Sequence, residues 1–379
     1  MHILMITTGR FPAGDAGAVR MGIFSKILTD SGNTVTAISR TEENFSGKNL
    51  SIFATRGNSE NKFKKTYEYL LFSKRAKKIL KTTSPYEAVY VYNVPIRLFV
   101  YLKRYCKKQG IPLIHDCVEW YSSSEFKTGI FSHEFIFKNI INRFVIDKSV
   151  RVISISKYLE KYFSKKGITT VRIPILADIP DKFEKTLEKD TVSVMYAGSP
   201  GRKDLIGNAV RAYFYLSPDE RKRLKLLFIG TGAKQISGLS DIDIDKLEQE
   251  KNIVVLPRMS RDKVLEHFKS ADFIVLPRNS AERYAKAGFP SKVVEALTHK
   301  TPIICNYSSD LADYLIDGKN SIIAESHMPD AICTAYKRII ALSIFEREKL
   351  QENAFETAKK HFCYRLFEKR FLNFFGETK

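Results

Sequence analysis

The chain has 379 residues, of which 44% are hydrophobic and 12% aromatic, enough to fill packed cores and to exclude a disordered protein. This length exceeds what one ordinary core accommodates, so two domains are expected. The net charge of +20 lies mainly in the first half, because residues 1–185 hold 31 Lys and Arg against 16 Asp and Glu. A basic half indicates an anionic partner for that half.

The cysteines and the N-terminus predict the compartment. The five cysteines have no Cys-x-x-Cys spacing, which favours a reducing environment and no structural zinc. Met1 leads directly into the strand-like HILMIT, so we expect no signal peptide. The most apolar long window, residues 88–102, contains Asn93 and Arg97 and is too short to span a bilayer. We therefore expect a cytoplasmic protein, free or resting on the inner face of the cell membrane.

Apolar tracts alternate with helical patterns along the chain. Continuous Val- and Ile-rich tracts are typical of strands covered on both faces, and helices between them imply parallel sheets built from β-α-β units. The strands predicted in this way are 2–7, 34–38, 88–92, 112–115, 151–155, 192–197, 225–229, 253–256, 272–276 and 302–305.

A polar stretch at residues 177–190, which contains Pro180, reads as a linker between two domains. We predict an α/β protein with two Rossmann-like, doubly wound domains, residues 1–182 and 190–361, facing each other across a cleft. Residues 362–379 are expected to form a helix that packs back on the first domain.

Five motifs follow one another in an order that is more specific than any one of them. They are ITTGRFPAGDAGAVR, VISISKYLEKYF, VMYAGSPGRKD, LLFIGTG and GFPSKVVEAL. In this order and spacing the chain resembles glycosyltransferase family 4, retaining enzymes of the GT-B fold that build bacterial polysaccharides and glycolipids. The resemblance covers nearly the full chain.

The resemblance implies an activity and its substrates. The second domain would bind a nucleotide-sugar donor, UDP-linked, and the first a glycan or lipid-linked acceptor with a free hydroxyl. The product would retain the configuration of the donor and serve cell-surface polysaccharide or glycoconjugate synthesis. The donor is a substrate, so we expect no cofactor and no metal.

Glu295 lies one turn inside a predicted helix, where an amphipathic helix needs no carboxylate. A carboxylate can accept two hydrogen bonds from a vicinal diol, and the resemblance implies that Glu295 binds the ribose. An exposed helix residue without a role is the alternative. The family's preceding motif Glu falls at Ala287, which puts the sugar contact in doubt. Whether Glu282 or Lys286 compensates stays open.

The turn YAGSPGRKD, residues 196–204, ends a predicted strand in glycines and then presents two cations. Such a turn can cradle a pyrophosphate, and the resemblance implies that Lys203 neutralises the leaving diphosphate. Ser199 stands at the family's Arg position, so Arg202 is the candidate to replace that Arg. A solvated basic turn is the alternative.

Further donor-site residues follow from the resemblance. Glycines let backbone amides approach phosphate, and the amides at a helix N-terminus, here near Ser291, favour anions. The further residues expected at the donor are Gly14, Gly17, Arg20, Gly230, Gly232, Arg258, Met259, Arg278, Phe289, Ser291 and Lys292.

PLIHDCVEW, residues 112–120, places polar side chains at the carboxyl end of a strand, where we expect them to face the cleft. His115 matches a family histidine that contacts the donor sugar, although a packing or capping histidine is equally compatible with the pattern. Asp116 and Glu119 are the carboxylates available to orient an acceptor hydroxyl.

The Asp-x-Asp in SDIDID, residues 240–245, has no strand before it and is expected to be a surface loop.

Residues 62–81 combine apolar positions, among them Phe63, Tyr67 and Leu70, with many Lys and Arg. A basic amphipathic helix can dock peripherally on an anionic membrane, while a solvated helix that packs on the core is the alternative.

Two other functions compete with the transferase, a GT-B sugar-nucleotide epimerase and a nucleic-acid-binding protein. No nucleic-acid-binding signature accompanies the charge, so we expect no such partner.

Overall fold

The computed structural model describes residues 1–55, 62–83, 85–188 and 190–376, without the side chains of residues 62–70. The chain forms two compact units. Unit 1 comprises Met1–Glu119, His133–Asp178 and Tyr364–Lys379, and unit 2 comprises Trp120–Ser132 and Ile179–Cys363. The segment Trp120–Ser132 therefore differs from the sequence-based division, which placed it in the first domain. It groups with unit 2 because side chains of that unit hold it, as described below.

Unit 1 contains an eight-stranded sheet in the order β3-β4-β2-β1-β5-β6-β7-β8. Neighbouring strands are parallel except for the β3–β4 pair. The strands are β1 (His2–Thr7), β2 (Thr34–Ser39), β3 (Phe45–Ser46), β4 (Leu50–Ala54), β5 (Ala88–Tyr92), β6 (Leu113–Cys117), β7 (Val150–Ser154) and β8 (Thr170–Arg172).

Unit 2 contains a six-stranded parallel sheet in the order β11-β10-β9-β12-β13-β14, which is the doubly wound arrangement. Its strands are β9 (Val192–Ala197), β10 (Leu224–Ile229), β11 (Ile253–Leu256), β12 (Phe273–Leu276), β13 (Ile303–Cys305) and β14 (Ser321–Ile323).

α-Helices follow most of the strands in both units, as the crossovers between parallel strands require. The helices are α1 (Ala16–Asp30), α2 (Lys62–Thr83), α3 (Ile96–Gln109), α4 (His133–Ile140), α5 (Lys157–Lys165), α6 (Ile206–Phe214), α7 (Pro218–Lys222), α8 (Ala233–Ser240), α9 (Ile244–Gln249), α10 (Arg261–Ser270), α11 (Arg283–Ala287), α12 (Ser291–Thr298), α13 (Pro329–Ala341), α14 (Ile344–Phe362) and α15 (Glu368–Gly376).

The C-terminal helix α15 packs in the core of unit 1. Its Phe371 stacks on Phe24 of α1 with ring centroids 4.4 Å apart, and the Phe374 carbonyl accepts a hydrogen bond from Arg151. The last helix thus belongs to the unit in which the chain begins.

The prediction of two doubly wound α/β domains is confirmed, and the ten predicted strands are present within two residues of their predicted bounds. The sequence missed β3, β4, β8 and β14, which are short and lie at or beside sheet edges. Edge strands need no continuous apolar run, so hydrophobic periodicity does not reveal them. In the described part of the chain, none of the helices has the length and hydropathy needed to cross a bilayer.

Candidate functional site

The sheet of unit 2 changes winding direction between β9 and β12, which are neighbours in the sheet but not in the chain. In open α/β sheets, ligands bind outside the carboxyl ends of the strands at such a switch point. Gly198 follows β9 at this edge, and Arg278 lies two residues beyond the end of β12. The two positions are therefore brought together by topology.

Two glycines after β9 and β10 make room at this edge. Gly198 has φ +138° and Gly230 has φ +93°, values that side-chain-bearing residues rarely adopt. A Cβ on Gly230 would lie 3.0 Å from the Gly198 carbonyl oxygen, and one on Gly198 would lie 2.9 Å from Cε of Lys292. Gly198 thus leaves the space through which Lys292 reaches the turn.

Asp204 lies at the centre of a buried polar cluster. Its carboxylate accepts hydrogen bonds from the Tyr196 hydroxyl (3.0 Å), Arg278 Nε (3.1 Å) and Lys292 Nζ (2.9 Å). Burial by itself raises the pKa of this carboxyl, but the charges of Lys292 and Arg278 outweigh it and bring the pKa to about 2. Asp204 therefore stays ionised at physiological pH.

Lys203, the cation predicted to meet the diphosphate, points to an acidic partner. Its Nζ lies 2.8 Å from Oε2 of Glu125, whose side chain is almost fully buried. The ammonium also lies over the rings of Tyr121 (5.1 Å to the centroid) and Tyr284 (6.0 Å), within range of a cation–π contact. The Tyr284 hydroxyl donates to the Lys203 carbonyl (3.2 Å), which fixes the turn as well.

The segment Trp120–Ser132 is attached to unit 2 by further contacts of the same region. Nη1 of Arg202 donates to the carbonyls of Ser124 and Phe126, at 3.5 and 3.3 Å. Arg283 donates to the carbonyl of Tyr121, with Nε at 2.9 Å. Both predicted phosphate-binding cations, Arg202 and Lys203, thus contact this segment.

Helix α12 presents Glu295 as the sequence predicted. Val293, Val294 and Leu297 are buried against unit 2, whereas Glu295 is half-exposed one turn from the N-terminus. The helix begins at Ser291, directly after Pro290, so its first amides have no partner within the helix. This end of α12 also carries Lys292, whose side chain reaches Gly198.

The remaining predicted donor residues are placed differently from one another. Ser199, Gly232 and Arg258 are exposed and Met259 is half-exposed, so their predicted roles are compatible with access to a ligand. The prediction for Phe289 is corrected, because its buried ring packs against Tyr314 and Phe362 with centroids 5.8 Å apart in each pair. Phe289 is a core residue.

Arg20 and Asp116 are corrected as well, since they form a buried ion pair in unit 1. Arg20 binds both carboxylate oxygens of Asp116 at 2.7 and 2.9 Å, and donates to the carbonyls of Ile173 and Pro174. The Tyr90 hydroxyl donates to the same carboxylate at 2.6 Å. Neither charged group is available to a donor phosphate or an acceptor hydroxyl.

His115 lies on β6 beside Asp116 but points to the opposite face, as successive strand residues do. It is 2% exposed, and its ring packs edge-on against Phe99 at 5.2 Å. Burial holds the pKa of His115 well below its usual value, so the ring is neutral. Its expected contact with a sugar in the cleft is not supported. Glu119, beyond the strand end, is half-exposed.

In unit 1 the glycine-rich loop leads into α1. Asp15 caps the helix by accepting from the amide of Gly17 at 2.9 Å, and a Cβ on Gly17 would lie 2.6 Å from the Tyr92 ring. Gly17 is therefore needed for close packing, while Gly14 is exposed. Gly17 thus has a packing role, whereas Gly14 is accessible to solvent.

Comparison with known proteins agrees with this architecture. Residues 178–360 match the family model "Glycosyl transferases group 1". An uncharacterized glycosyltransferase of Methanocaldococcus jannaschii, MJ1069, is 22% identical over 298 residues, which cover 73% of this chain and 70% of the relative.

Two solved structures share the fold over nearly their whole length. Sucrose-phosphate synthase from Thermosynechococcus elongatus superposes with a TM-score of 0.77 at 15% identity, covering 99% of this chain and 98% of the other. Anabaena Alr3699/HepE, solved in complex with UDP and glucose, gives a TM-score of 0.68 at 13% identity and 99% coverage of both chains. The protein is a glycosyltransferase with the GT-B fold.

The acidic run of the glycosyltransferase, SDIDID, lies between α8 and α9. Asp241 ends α8 in a left-handed conformation (φ +54°) and pairs with Arg211 at 2.8 Å. Asp243 caps α9 by accepting from the amide of Asp245 at 2.9 Å. These carboxylates therefore have local structural roles in the connection between α8 and α9, where a surface loop was expected.

The basic segment of the glycosyltransferase, 62–81, lies in α2. Phe63, Tyr67 and Leu70 fall among the side chains that are not described. Of the described side chains, Phe72, Ala76 and Leu80 are buried, and the stripe formed by Lys74, Lys78 and Lys81 is exposed on the opposite face. The described part of the apolar stripe, Phe72, Ala76 and Leu80, is therefore buried in the protein's own fold.

Sequence reasoning missed four residues of the site in this glycosyltransferase. Asp204, Tyr196, Tyr284 and Glu125 all contact the predicted cations, yet none was singled out. Asp204 directly follows Lys203, and a carboxylate beside a cation predicted to bind phosphate was the available signal. Glu125 gave no signal, because its partner Lys203 lies 78 residues away in the chain.

Proposed function

We propose that this glycosyltransferase takes its sugar from a UDP-linked nucleotide sugar and transfers it to a hydroxyl of a glycan or lipid-linked acceptor, with retention of configuration. The proposed pathway is synthesis of cell-surface polysaccharide or glycoconjugate. The observation that carries the donor assignment is that Arg278 and Lys292 meet at Asp204 at the switch point of unit 2. Lys203 directly precedes Asp204, and Lys203 and Arg278 both lie over the Tyr284 ring. The complex of Anabaena Alr3699/HepE with UDP and glucose supports the choice of nucleotide.

Each part of the donor has a matching group. The cations meet the diphosphate, whose negative charge grows as the sugar leaves, so they stabilise the transition state more than the bound donor. The amides at the N-terminus of α12 point toward the same anion. Glu295, one turn further on, accepts hydrogen bonds from the vicinal ribose hydroxyls.

Lys203 reaches the diphosphate only by exchanging its partner. In the structure it pairs with Glu125 at 2.8 Å. The donor offers a more highly charged anion in the same region, which compensates for the lost ion pair. Donor binding therefore includes release of Lys203 from the segment Trp120–Ser132.

The acceptor is assigned to unit 1. Glu119, half-exposed beyond the end of β6, is the remaining carboxylate of its predicted set that can orient a hydroxyl. We assign no enzyme nucleophile. Retention then arises by displacement on one face, where the acceptor hydroxyl attacks from the side on which the diphosphate leaves.

A lipid-linked acceptor brings the enzyme to a membrane surface. The excess of 31 cationic over 16 anionic residues in 1–185 supports peripheral contact with anionic lipid. Because the apolar stripe of α2 is buried, the described part of this helix contributes charge and not apolar insertion. The proposed contact is electrostatic and reversible.

The test is a thermal-shift panel of UDP-, GDP-, ADP- and dTDP-sugars, followed by an assay of nucleotide release with glycan and lipid-linked acceptors. A ligand at about 100 times its Kd should stabilise the fold by about 2.7 kcal/mol. We expect stabilisation by UDP-sugars and UDP release that depends on the acceptor. Sugar interconversion without acceptor would instead identify an epimerase, and salt-sensitive retention on nucleic acid a binding protein.

A further inference from the structure

Asp204 is the described residue that joins the cations of the proposed donor site. It follows Lys203 directly in the chain and binds Arg278 and Lys292 at 3.1 and 2.9 Å. Arg278 comes from the segment after β12, and Lys292 from the first turn of α12. One carboxylate thus ties together three separate elements of unit 2.

The backbone positions of the two cations are fixed without Asp204. Asn306 accepts from the Arg278 amide at 3.0 Å and donates to the Arg278 carbonyl at 2.8 Å. Lys292 belongs to the regular helix α12. Asp204 controls the direction of the two side chains, because both are long and would be flexible without it.

We propose that Asp204 is a positioning residue for the donor diphosphate, which aims the charged ends of Arg278 and Lys292 at the phosphate-binding turn that begins at Gly198. This rests on the proposed function. The carboxylate screens the repulsion between Arg278 and Lys292, and its single negative charge leaves these two cations with a positive surplus for the diphosphate. Preorganised cations bind without the entropy cost of ordering flexible side chains.

Tyr196 supports the position of the carboxylate. Its hydroxyl donates to Oδ2 of Asp204 at 3.0 Å, the same oxygen that Lys292 contacts, and Lys292 lies over the Tyr196 ring at 5.1 Å. Tyr196 is a buried residue of strand β9, so its hydroxyl gives the Asp204 carboxylate a rigid support. Loss of its hydroxyl should loosen Asp204 while keeping the charge.

The experiment measures binding of inorganic pyrophosphate by calorimetry to wild type, D204N and D204E. Pyrophosphate carries the charge of the diphosphate without depending on the base or the sugar. We expect D204N to bind at least tenfold more weakly and D204E, which keeps the charge, to recover part of the loss. D317N is the matched control, because Asp317 pairs with Arg338 at 2.9 Å on the surface of the same unit.

A double-mutant cycle separates positioning from general destabilisation. If Asp204 acts through Lys292, D204N should have a much smaller effect on pyrophosphate affinity in a K292M background than in wild type. Y196F should weaken binding in the same direction, severalfold, and it keeps the test decisive if D204N does not fold.

Equal pyrophosphate affinity of wild type, D204N and Y196F would overturn the assignment, as would strictly additive effects of D204N and K292M. Failure of the proposed function has a different signature, in which wild type binds pyrophosphate with the Asp204 dependence but no nucleotide sugar stabilises it. The two failures are therefore distinguishable.

Discussion

Glu295 and Asp116 are carboxylates that the sequence placed in the same cleft, yet their surroundings differ. Glu295 is half-exposed in the middle of the short helix α12. Asp116 is buried and accepts three charged or hydroxyl donors from Arg20 and Tyr90. The Glu295 carboxylate is therefore accessible to a ligand, whereas the Asp116 carboxylate stabilises the fold.

Replacing Glu295 by Ala should weaken nucleotide-sugar binding and leave the fold intact. The loss of hydrogen bonds from the ribose to a charged acceptor costs about 1.5–3 kcal/mol, which corresponds to roughly ten- to a hundredfold in Kd. Calorimetry with the donor and a urea titration measure the two effects. Glu248→Ala, an exposed position on α9, is the control, and unchanged donor affinity of Glu295→Ala would exclude Glu295 from the site.

Replacing Asp116 by Ala should destabilise unit 1 by about 3–5 kcal/mol, because Arg20 is left buried without its counter-charge. Urea unfolding measures the loss. The double variant R20M/D116L removes both charges and should lose less stability than D116A alone. A D116A protein of wild-type stability that had lost transfer activity would contradict the structural role and restore Asp116 to the catalytic set.

At the scale of elements, hydrogen bonds and not chain position attach the segment Trp120–Ser132 to unit 2. It follows β6 of unit 1 in the chain, yet its backbone carbonyls accept from Arg202 and Arg283 of unit 2. Its Glu125 also accepts from the Ser122 amide at 2.8 Å, which fixes the carboxylate toward Lys203. The segment thus competes with the proposed donor for the same cation.

Replacing Glu125 by Gln should therefore tighten UDP binding, by about threefold to tenfold. The ion pair between the partly exposed Lys203 and the almost fully buried Glu125, worth about 1 kcal/mol, no longer has to break. Calorimetric titration with UDP measures this. Glu250→Gln is a matched control, since Glu250 forms a half-buried pair with Arg221 in the same unit at 3.4 Å. Weaker UDP binding by E125Q would mean that Glu125 holds Lys203 in place for the donor instead of competing with it.

At the scale of the whole molecule, the charge is unequally distributed. The +20 net charge lies mostly in residues 1–185, but not all of these cations face solvent. On α2, Arg75 donates to the Thr55 carbonyl and Lys77 lies over the Tyr101 ring at 4.3 Å. The exposed stripe formed by Lys74, Lys78 and Lys81 is what this helix offers to an anionic surface.

The triple variant K74Q/K78Q/K81Q should reduce co-sedimentation with phosphatidylglycerol vesicles at least tenfold, since each cation near an anionic surface contributes about 1 kcal/mol. Binding of wild type should also weaken as salt shortens the screening length. A triple of exposed Lys in unit 2, K251Q/K263Q/K349Q, lowers the net charge equally and should have little effect. Equal losses of co-sedimentation in both triple variants would show that only net charge matters. Unchanged co-sedimentation of both variants would exclude docking through α2.

The sequence by itself determined the two doubly wound domains. Continuous Val- and Ile-rich strands alternating with helices have few other solutions, because both faces of each strand must be covered by helices. It also placed Glu295, Ser291 and Lys292 on one short helix, since their spacing and the preceding Pro290 are local. The ligand roles of these residues and of Lys203 stay predictions.

The tertiary structure alone decided which side chains are free and which are paired. Asp204 lies 74 residues from Arg278 and 88 from Lys292, and Arg20 lies 96 from Asp116. Such contacts depend on which strands become neighbours in the sheet, and no local pattern encodes them. Burial then assigns the roles, because a charge removed from water must find a partner. That requirement commits Asp116 to Arg20, Asp204 to its two cations, and leaves Glu295 to solvent.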